Sequence, residues 1–138
     1  GTNSIMMASN AHQVLIGSYL NLTATAKHLI KSNRDIIILC AAWKNKFNLE
    51  DSIYAGALAD LLLKQDEYYT ICDSVKAALD LWSIARNDLF GYIQKAAQKE
   101  RLKKNGLDDC IEYCHTPDIT DIIPVLKDHY IIQFNGNS

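Results

Sequence analysis

The chain has 138 residues, of which 49% are apolar and 22% are charged, as in an ordinary globular protein. Its length suits one domain with a sizeable core, and its apolar runs are far shorter than a membrane span. Fourteen Lys and Arg against sixteen Asp and Glu give a net charge of −2, so no basic excess indicates binding to nucleic acid or to an anionic membrane. Because the first residues, GTNSIMMASNAHQ, lack a signal-peptide pattern, we predict a cytoplasmic protein.

The first half of the chain predicts a strand, a helix and a second strand. Gln13–Gly17 is short, β-branched and ended by glycine, which favours a buried strand. Leu22–Lys31 follows with good helix formers and helical spacing of its apolar residues. Ile36–Cys40 is a second apolar run of strand length. This order is the minimal parallel unit, and its crossover is expected to be right-handed.

The second half is mostly helical by its patterns. Three helices are predicted at Leu49–Leu63, Thr70–Asn87 and Phe90–Leu102, and a terminal strand at His129–Phe134. The segment 107–113 is compatible with either a helix or a strand. The fold class is therefore α/β, a three-layer α/β/α arrangement with a parallel or mixed sheet. Two or three strands make a thin sheet for so many helices. We expect a missing part of the same protein, or another copy, to complete it.

Two adjacent carboxylates, Glu50 and Asp51, follow the second predicted strand and begin the next helix. Open α/β sheets bind ligands at this edge, and Mg²⁺ takes one or two carboxylate ligands. Adjacent helical residues point about 100° apart, so only one of the two is expected to face a ligand. The alternative is structural. Asn48 as the N-cap and Asp51 at the third helical position form a capping pair beside the positive end of the helix dipole.

A second candidate region is the turn after the first strand, which contains Gly17, Ser18 and Asn21. Backbone N–H groups at such a turn can hold a phosphate or a sulfonate, assisted by the dipole of the following helix. Asn21 is equally suited to cap that helix without any ligand. Both interpretations of this turn stay open from the residues alone.

The loop before the acidic pair carries Trp43, Lys44 and Lys46. The two lysines could attract a doubly anionic substrate, although loop lysines are usually solvated surface groups. Trp43 is placed to form a wall of the same cleft.

The sequence resembles the 2-phosphosulfolactate phosphatase (ComB) family over most of its length. Four blocks carry the resemblance: VLIGSYLNLTATAKHL at 14–29, FNLEDSIYAGAL at 47–58, GLDDCIEYC at 106–114 and DITDIIPVL at 118–126. Members of that family usually carry Thr-Asn-Gly-Thr at the point where this chain has Gly1 and Thr2. The resemblance thus implies that residues 1–138 are the C-terminal portion of such a protein. An N-terminal half, with further acidic residues expected to help bind metal, is then absent.

The resemblance implies a magnesium-dependent phosphatase that hydrolyses 2-phospho-3-sulfolactate to 3-sulfolactate in coenzyme M biosynthesis. Glu50 and Asp51 are the residues expected for catalysis and for Mg²⁺. The turn residues Gly17, Ser18 and Asn21 are those expected for substrate binding. Many relatives have glycine at the position of Ala42 and another near 46, so the substrate here could be another small phosphorylated acid. A non-catalytic α/β interaction domain is the alternative from a different class.

Overall fold

The computed structural model describes residues 2–44 and 46–134. Seven α-helices lie within these ranges: α1 Thr2–Ala8, α2 Leu22–Ser32, α3 Leu49–Leu62, α4 Asp73–Ala85, α5 Leu89–Ile93, α6 Ala97–Lys104 and α7 Ile111–Cys114. Short 3-10 helices cover Tyr19–Asn21 and Asp108–Cys110. Within the described ranges, no helix combines the length and apolar character that spanning a bilayer requires.

Helix α3 is the centre of the fold. It packs chiefly against α4 and also against α2. Buried residues occur all around its circumference, including Ile53 and Ala57 on one side and Ala55 and Ala59 on the opposite side. Helix α3 is therefore enclosed rather than half exposed, as expected for a helix that is apolar on all sides.

The predicted helices agree with the structure where the apolar spacing is long and regular. The helices predicted at Leu22–Lys31 and Leu49–Leu63 are confirmed within one residue at each end. The fourth predicted helix is interrupted, because Ala96 is extended and separates α5 from α6. The ambiguous segment 107–113 is helical, with a 3-10 turn running into α7.

The sheet is small and antiparallel. Strand β1, Pro124–Lys127, pairs with strand β2, Tyr130–Gln133. Strand β2 confirms the predicted terminal strand. Strand β1 was not predicted from the sequence. Residues 14–16 lie beside β1 in the opposite direction, since the Ile16 N–H donates to the Pro124 carbonyl and the Leu126 N–H donates to the Val14 carbonyl, each at 2.9 Å.

The described residues do not form the predicted parallel unit. Residues 14–16 pair antiparallel with β1 through an isolated bridge from Leu15 to Val125. The second predicted strand, Ile36–Cys40, is in no strand of the described sheet. The coarse class, mixed α and β, is confirmed. The described residues form a mostly helical fold with a two-stranded antiparallel sheet.

The close approach of α4 to α3 at Gly56 predicts that a larger residue at this position lowers the free energy of unfolding. Helix propensity alone favours Gly56→Ala by up to about 1 kcal/mol. A Cβ at this position would overlap the backbone carbonyl of Ala78, which cannot move without shifting α4. We expect Gly56→Ala to lower the free energy of unfolding by about 1–3 kcal/mol in urea denaturation.

The matched control is Gly91→Ala. There the atoms nearest to the added Cβ belong to the side chain of Asp88. This side chain can rotate at the cost of its capping hydrogen bond from the Gly91 N–H, and the gain in helix propensity offsets part of that cost, so we expect a smaller loss. A Gly56→Ala protein as stable as the wild type would contradict the close packing of α3 on α4.

Candidate functional site

A cleft of about 430 Å³ lies at the N-terminal end of α3. Three segments line it: the loop before α3, the first turn of α3, and α6 with the residue that follows it. The lining residues are Ala41, Ala42, Trp43, Asn48, Glu50, Asp51, Gln98, Arg101, Leu102, Lys104 and Asn105. The cleft thus combines two carboxylates with two cationic side chains.

Glu50 is almost completely buried. Its side chain is 7% exposed, and its Oε1 lies 3.3 Å from Nη2 of Arg101. A buried charge needs a partner of opposite sign, because burial removes the water that would otherwise solvate it. Arg101 supplies that partner from α6, 51 residues further along the chain.

Asp51 holds the loop before α3. Its Oδ2 accepts a hydrogen bond from the Ala42 N–H at 2.8 Å and a longer one from Nδ2 of Asn48 at 3.3 Å. Asn48 is the N-cap residue of α3, but its side chain makes no capping hydrogen bond. Asn48 is thus at the predicted N-cap position, but the predicted capping hydrogen bonds between the Asn48 and Asp51 pair and the helix terminus are not formed. Asp51 anchors the preceding loop instead of satisfying the helix terminus.

Glu50 and Asp51 both line the same cleft. Within the described residues, Glu50 uses Oε1 and Asp51 uses Oδ2 in their side-chain hydrogen bonds. The second oxygen of each carboxylate has no described partner. The described residues gather no cluster of three or more His, Cys, Asp or Glu. Two oxygens fit Mg²⁺ in type, since this ion keeps several waters and needs only one or two protein carboxylates.

The loop that Asp51 holds has an unusual backbone. Ala42 and Lys44 have φ values of 59° and 52°, in the left-handed region that non-glycine residues rarely adopt. Reciprocal backbone hydrogen bonds between Trp43 and Lys46, at 3.2 and 2.9 Å, close the loop. Both lysine side chains are exposed, as expected for solvated surface groups.

Arg101 and Lys104 are the charged cleft residues that the sequence did not predict. The guanidinium carbon of Arg101 lies 5.1 Å from the ring centroid of Trp43, so the predicted wall residue also contacts a cation. Gln98, Arg101 and Asn105 are spaced by three and four residues, which places them on one helical face. This polar stripe could have been recognised from the sequence, but its position opposite Glu50 is set by the tertiary fold.

The turn residues Gly17, Ser18 and Asn21 do not line this cleft. Asn21 is buried, and its amide is fully engaged: Oδ1 accepts from the Ser18 N–H at 2.9 Å, and Nδ2 donates to the carbonyls of Ile16 and Ile122. A side chain at Gly17 would collide with the hydroxyl of Tyr54. The structure thus gives these residues a clear role in the fold, and anion binding by the turn stays a prediction.

A buried tyrosine connects the turn to the acidic pair. Tyr19 follows Ser18, and its hydroxyl donates to the Glu50 carbonyl at 3.5 Å. Burial raises the pKa of Tyr19 far above its ordinary value, and the nearby Tyr54, Asp51 and Glu50 raise it further. Its hydroxyl therefore stays protonated and acts as a neutral donor behind the cleft.

Comparisons with known proteins identify the family of this chain. The family model described as 2-phosphosulpholactate phosphatase matches residues 1–129. The chain belongs to this family. The resemblance stated from the sequence blocks is thereby confirmed.

Three relatives, each named probable 2-phosphosulfolactate phosphatase, give the extent of the similarity. The protein of Caldanaerobacter subterraneus is 32% identical over 92% of this chain and 52% of its own length. That of Clostridium beijerinckii is 30% identical over 93% and 53%. That of Synechocystis is 30% identical over 90% and 52%. The chain therefore spans about half the length of the curated relatives it matches.

The left-handed conformation of Ala42 leads to a stability prediction. An alanine in this conformation costs roughly 1–2 kcal/mol, whereas glycine pays only its larger entropy loss on folding, about 0.5–1 kcal/mol. We expect Ala42→Gly to raise the free energy of unfolding by up to about 1 kcal/mol in urea denaturation. Ala41→Gly is the control, because Ala41 is not among the residues with positive φ. It should lower stability, and equal losses in both variants would contradict the loop geometry.

Proposed function

We propose that this chain contributes a magnesium site to a phosphatase that hydrolyses 2-phospho-3-sulfolactate to 3-sulfolactate, a step of coenzyme M biosynthesis. The observation that carries the proposal is the meeting of Glu50 and Asp51 with Arg101 and Lys104 in one cleft. Membership of the family supports the phosphatase activity, since the relatives carry that name. With Mg²⁺ bound to the two carboxylates, the cleft would carry a net positive charge and would suit a small anionic ligand.

The two carboxylates are held in place before any ligand arrives. Arg101 fixes one oxygen of Glu50 and the Ala42 N–H fixes one oxygen of Asp51. Preorganised groups cost little reorganisation during a reaction. In the proposed site, the remaining oxygen of each carboxylate is the one that would hold Mg²⁺.

Magnesium, when bound, would neutralise charge on the phosphoryl oxygens. The chain's own contribution is to orient the two carboxylates and to surround the ligand with cationic side chains. Arg101 and Lys104 offset the charge of an incoming dianion. Trp43, which is half exposed, shields one side of the cleft from water.

The decisive experiment uses the full-length protein and measures phosphate release from 2-phospho-3-sulfolactate. We expect activity with magnesium and none after chelation with EDTA. Glu50→Gln combined with Asp51→Asn should lower turnover by about a hundredfold, because both proposed ligands lose their charge. Magnesium titration calorimetry should show the same variant binding the ion about 10–100-fold more weakly.

The control is Asp60→Asn. Asp60 lies in the same helix, but its carboxylate pairs with Lys64 at the surface at 2.9 Å. This variant should keep the activity and the magnesium affinity of the wild type. Unchanged turnover in the Glu50 and Asp51 double variant would exclude these residues from the reaction.

We also propose that the rest of the protein completes a three-layer sheet at residues 36–40. Ile36 and Ile38 pack against the core, while Ile37 is 92% exposed and Leu39 47% exposed. This alternation is that of a strand with one covered face. Within the described part of the chain, the backbone of residues 36–40 makes no hydrogen bonds. Such unpaired groups in an apolar segment favour pairing with another strand.

Hydrogen exchange of backbone amides tests this completion. In the full-length protein, the amides of residues 36–40 should exchange slowly, because a neighbouring strand accepts their hydrogen bonds. In the 138-residue chain alone they should exchange fast. The Ile16 amide, which donates to Pro124, is the internal control and should be protected in both. Fast exchange at 36–40 in the full-length protein would refute the proposal.

A further inference from the structure

Arg101 has more hydrogen-bonding capacity than its described contacts use. Its Nη2 lies 3.3 Å from Oε1 of Glu50 and 3.5 Å from Oδ1 of Asn48. Both contacts involve the same nitrogen. A guanidinium has five N–H donors on three nitrogens, so Nη1 and Nε have no side-chain or backbone partner among the described residues.

The surroundings of Arg101 suit recognition of an anion. Its side chain is 26% exposed, so it is partly desolvated but still open to the cleft. The Trp43 ring lies against the guanidinium at 5.1 Å and restricts its motion through a cation–π contact. Glu50 and Asp51 balance the charges of Arg101 and Lys104 in the cleft. Mg²⁺ held by the two carboxylates, as proposed above, would give the cleft a net positive charge for an anionic ligand.

We propose that Arg101 binds the acid group of the substrate that is not the phosphoryl group, either a carboxylate or a sulfonate. This inference rests on the proposed function, in which Glu50 and Asp51 serve the phosphoryl end. Nη1 still has two unengaged N–H groups, which can donate charge-assisted hydrogen bonds to the oxygens of such a group. Arg101 is then the residue that selects phosphorylated acids over simple phosphate esters.

Three substrates, tested with the full-length protein, show whether Arg101 contacts a carboxylate, a sulfonate or neither. 2-Phospho-3-sulfolactate carries a carboxylate and a sulfonate, 2-phospholactate carries only the carboxylate, and glycerol 2-phosphate carries neither. We expect Arg101→Gln to raise KM about tenfold or more for an acid-bearing substrate, as is usual for a lost hydrogen bond to a charged group. For glycerol 2-phosphate, which carries no second acid group, kcat/KM should fall by a clearly smaller factor, one that reflects only the lost support of Glu50.

The pattern of losses identifies the acid group. An equal loss for both acid-bearing substrates assigns Arg101 to the carboxylate, and a loss confined to the sulfonated one assigns it to the sulfonate. Arg101→Lys should fall between wild type and Arg101→Gln, because an ammonium keeps the charge but not the planar arrangement of donors. If Arg101→Gln does not fold because Glu50 has lost its partner, Arg101→Lys replaces it as the test variant. Arg86→Gln is the control, since Arg86 ends α4 outside the cleft.

Two results would overturn the inference. One is an equal loss for glycerol 2-phosphate, which would place Arg101 at the phosphoryl group or make it only a support for Glu50. The other is no change for any substrate. If the wild type releases no phosphate from any of the three, the proposed function fails. Calorimetry with 3-sulfolactate then decides on Arg101 alone, with about tenfold weaker binding by Arg101→Gln expected.

Discussion

The enclosure of helix α3 is the constraint on which the structure depends. Its circumference is covered by α4, by α2 and by half-buried side chains of the neighbouring loops. Alanine and glycine at 55–57 and 59 allow this, because small residues let neighbouring backbones approach closely. A helix held from all sides can neither rotate nor slide without opening the core. The first turn of α3, and with it the acidic pair, therefore has a fixed position.

The electrostatics of the cleft follow from this enclosure. Glu50 is buried because it belongs to the covered helix, and a buried carboxylate requires a cation. Arg101 meets the requirement, and the Trp43 ring beside it limits access of water. Because the pair is largely shielded from solvent, added salt screens it much less than it screens a surface pair such as Asp60 and Lys64. The polar groups of the cleft are therefore a consequence of how α3 is packed.

The sequence predicted local features well and long-range ones poorly. Helices α2 and α3 follow from regular apolar spacing, and the acidic pair at the start of α3 follows from the change of pattern at Asn48. Arg101 was missed because its partner is 51 residues away, and periodicity carries no information about such contacts. Ile36–Cys40 has strand-like residues, but strand pairing needs a neighbour that the described chain does not place there. Local pattern gives the conformation, whereas the partner comes from the tertiary fold.

The exposed faces of residues 36–40 and of strand β2 have a consequence for handling this chain. Ile37 and Leu39 on the first, and Ile131 and Ile132 on the second, are large apolar side chains left open to water. A short, uncharged run of strand-forming residues with free backbone groups is a nucleus for aggregation. A purified sample of the isolated chain should therefore lose solubility as its concentration rises, and a charged residue at position 37 should delay precipitation.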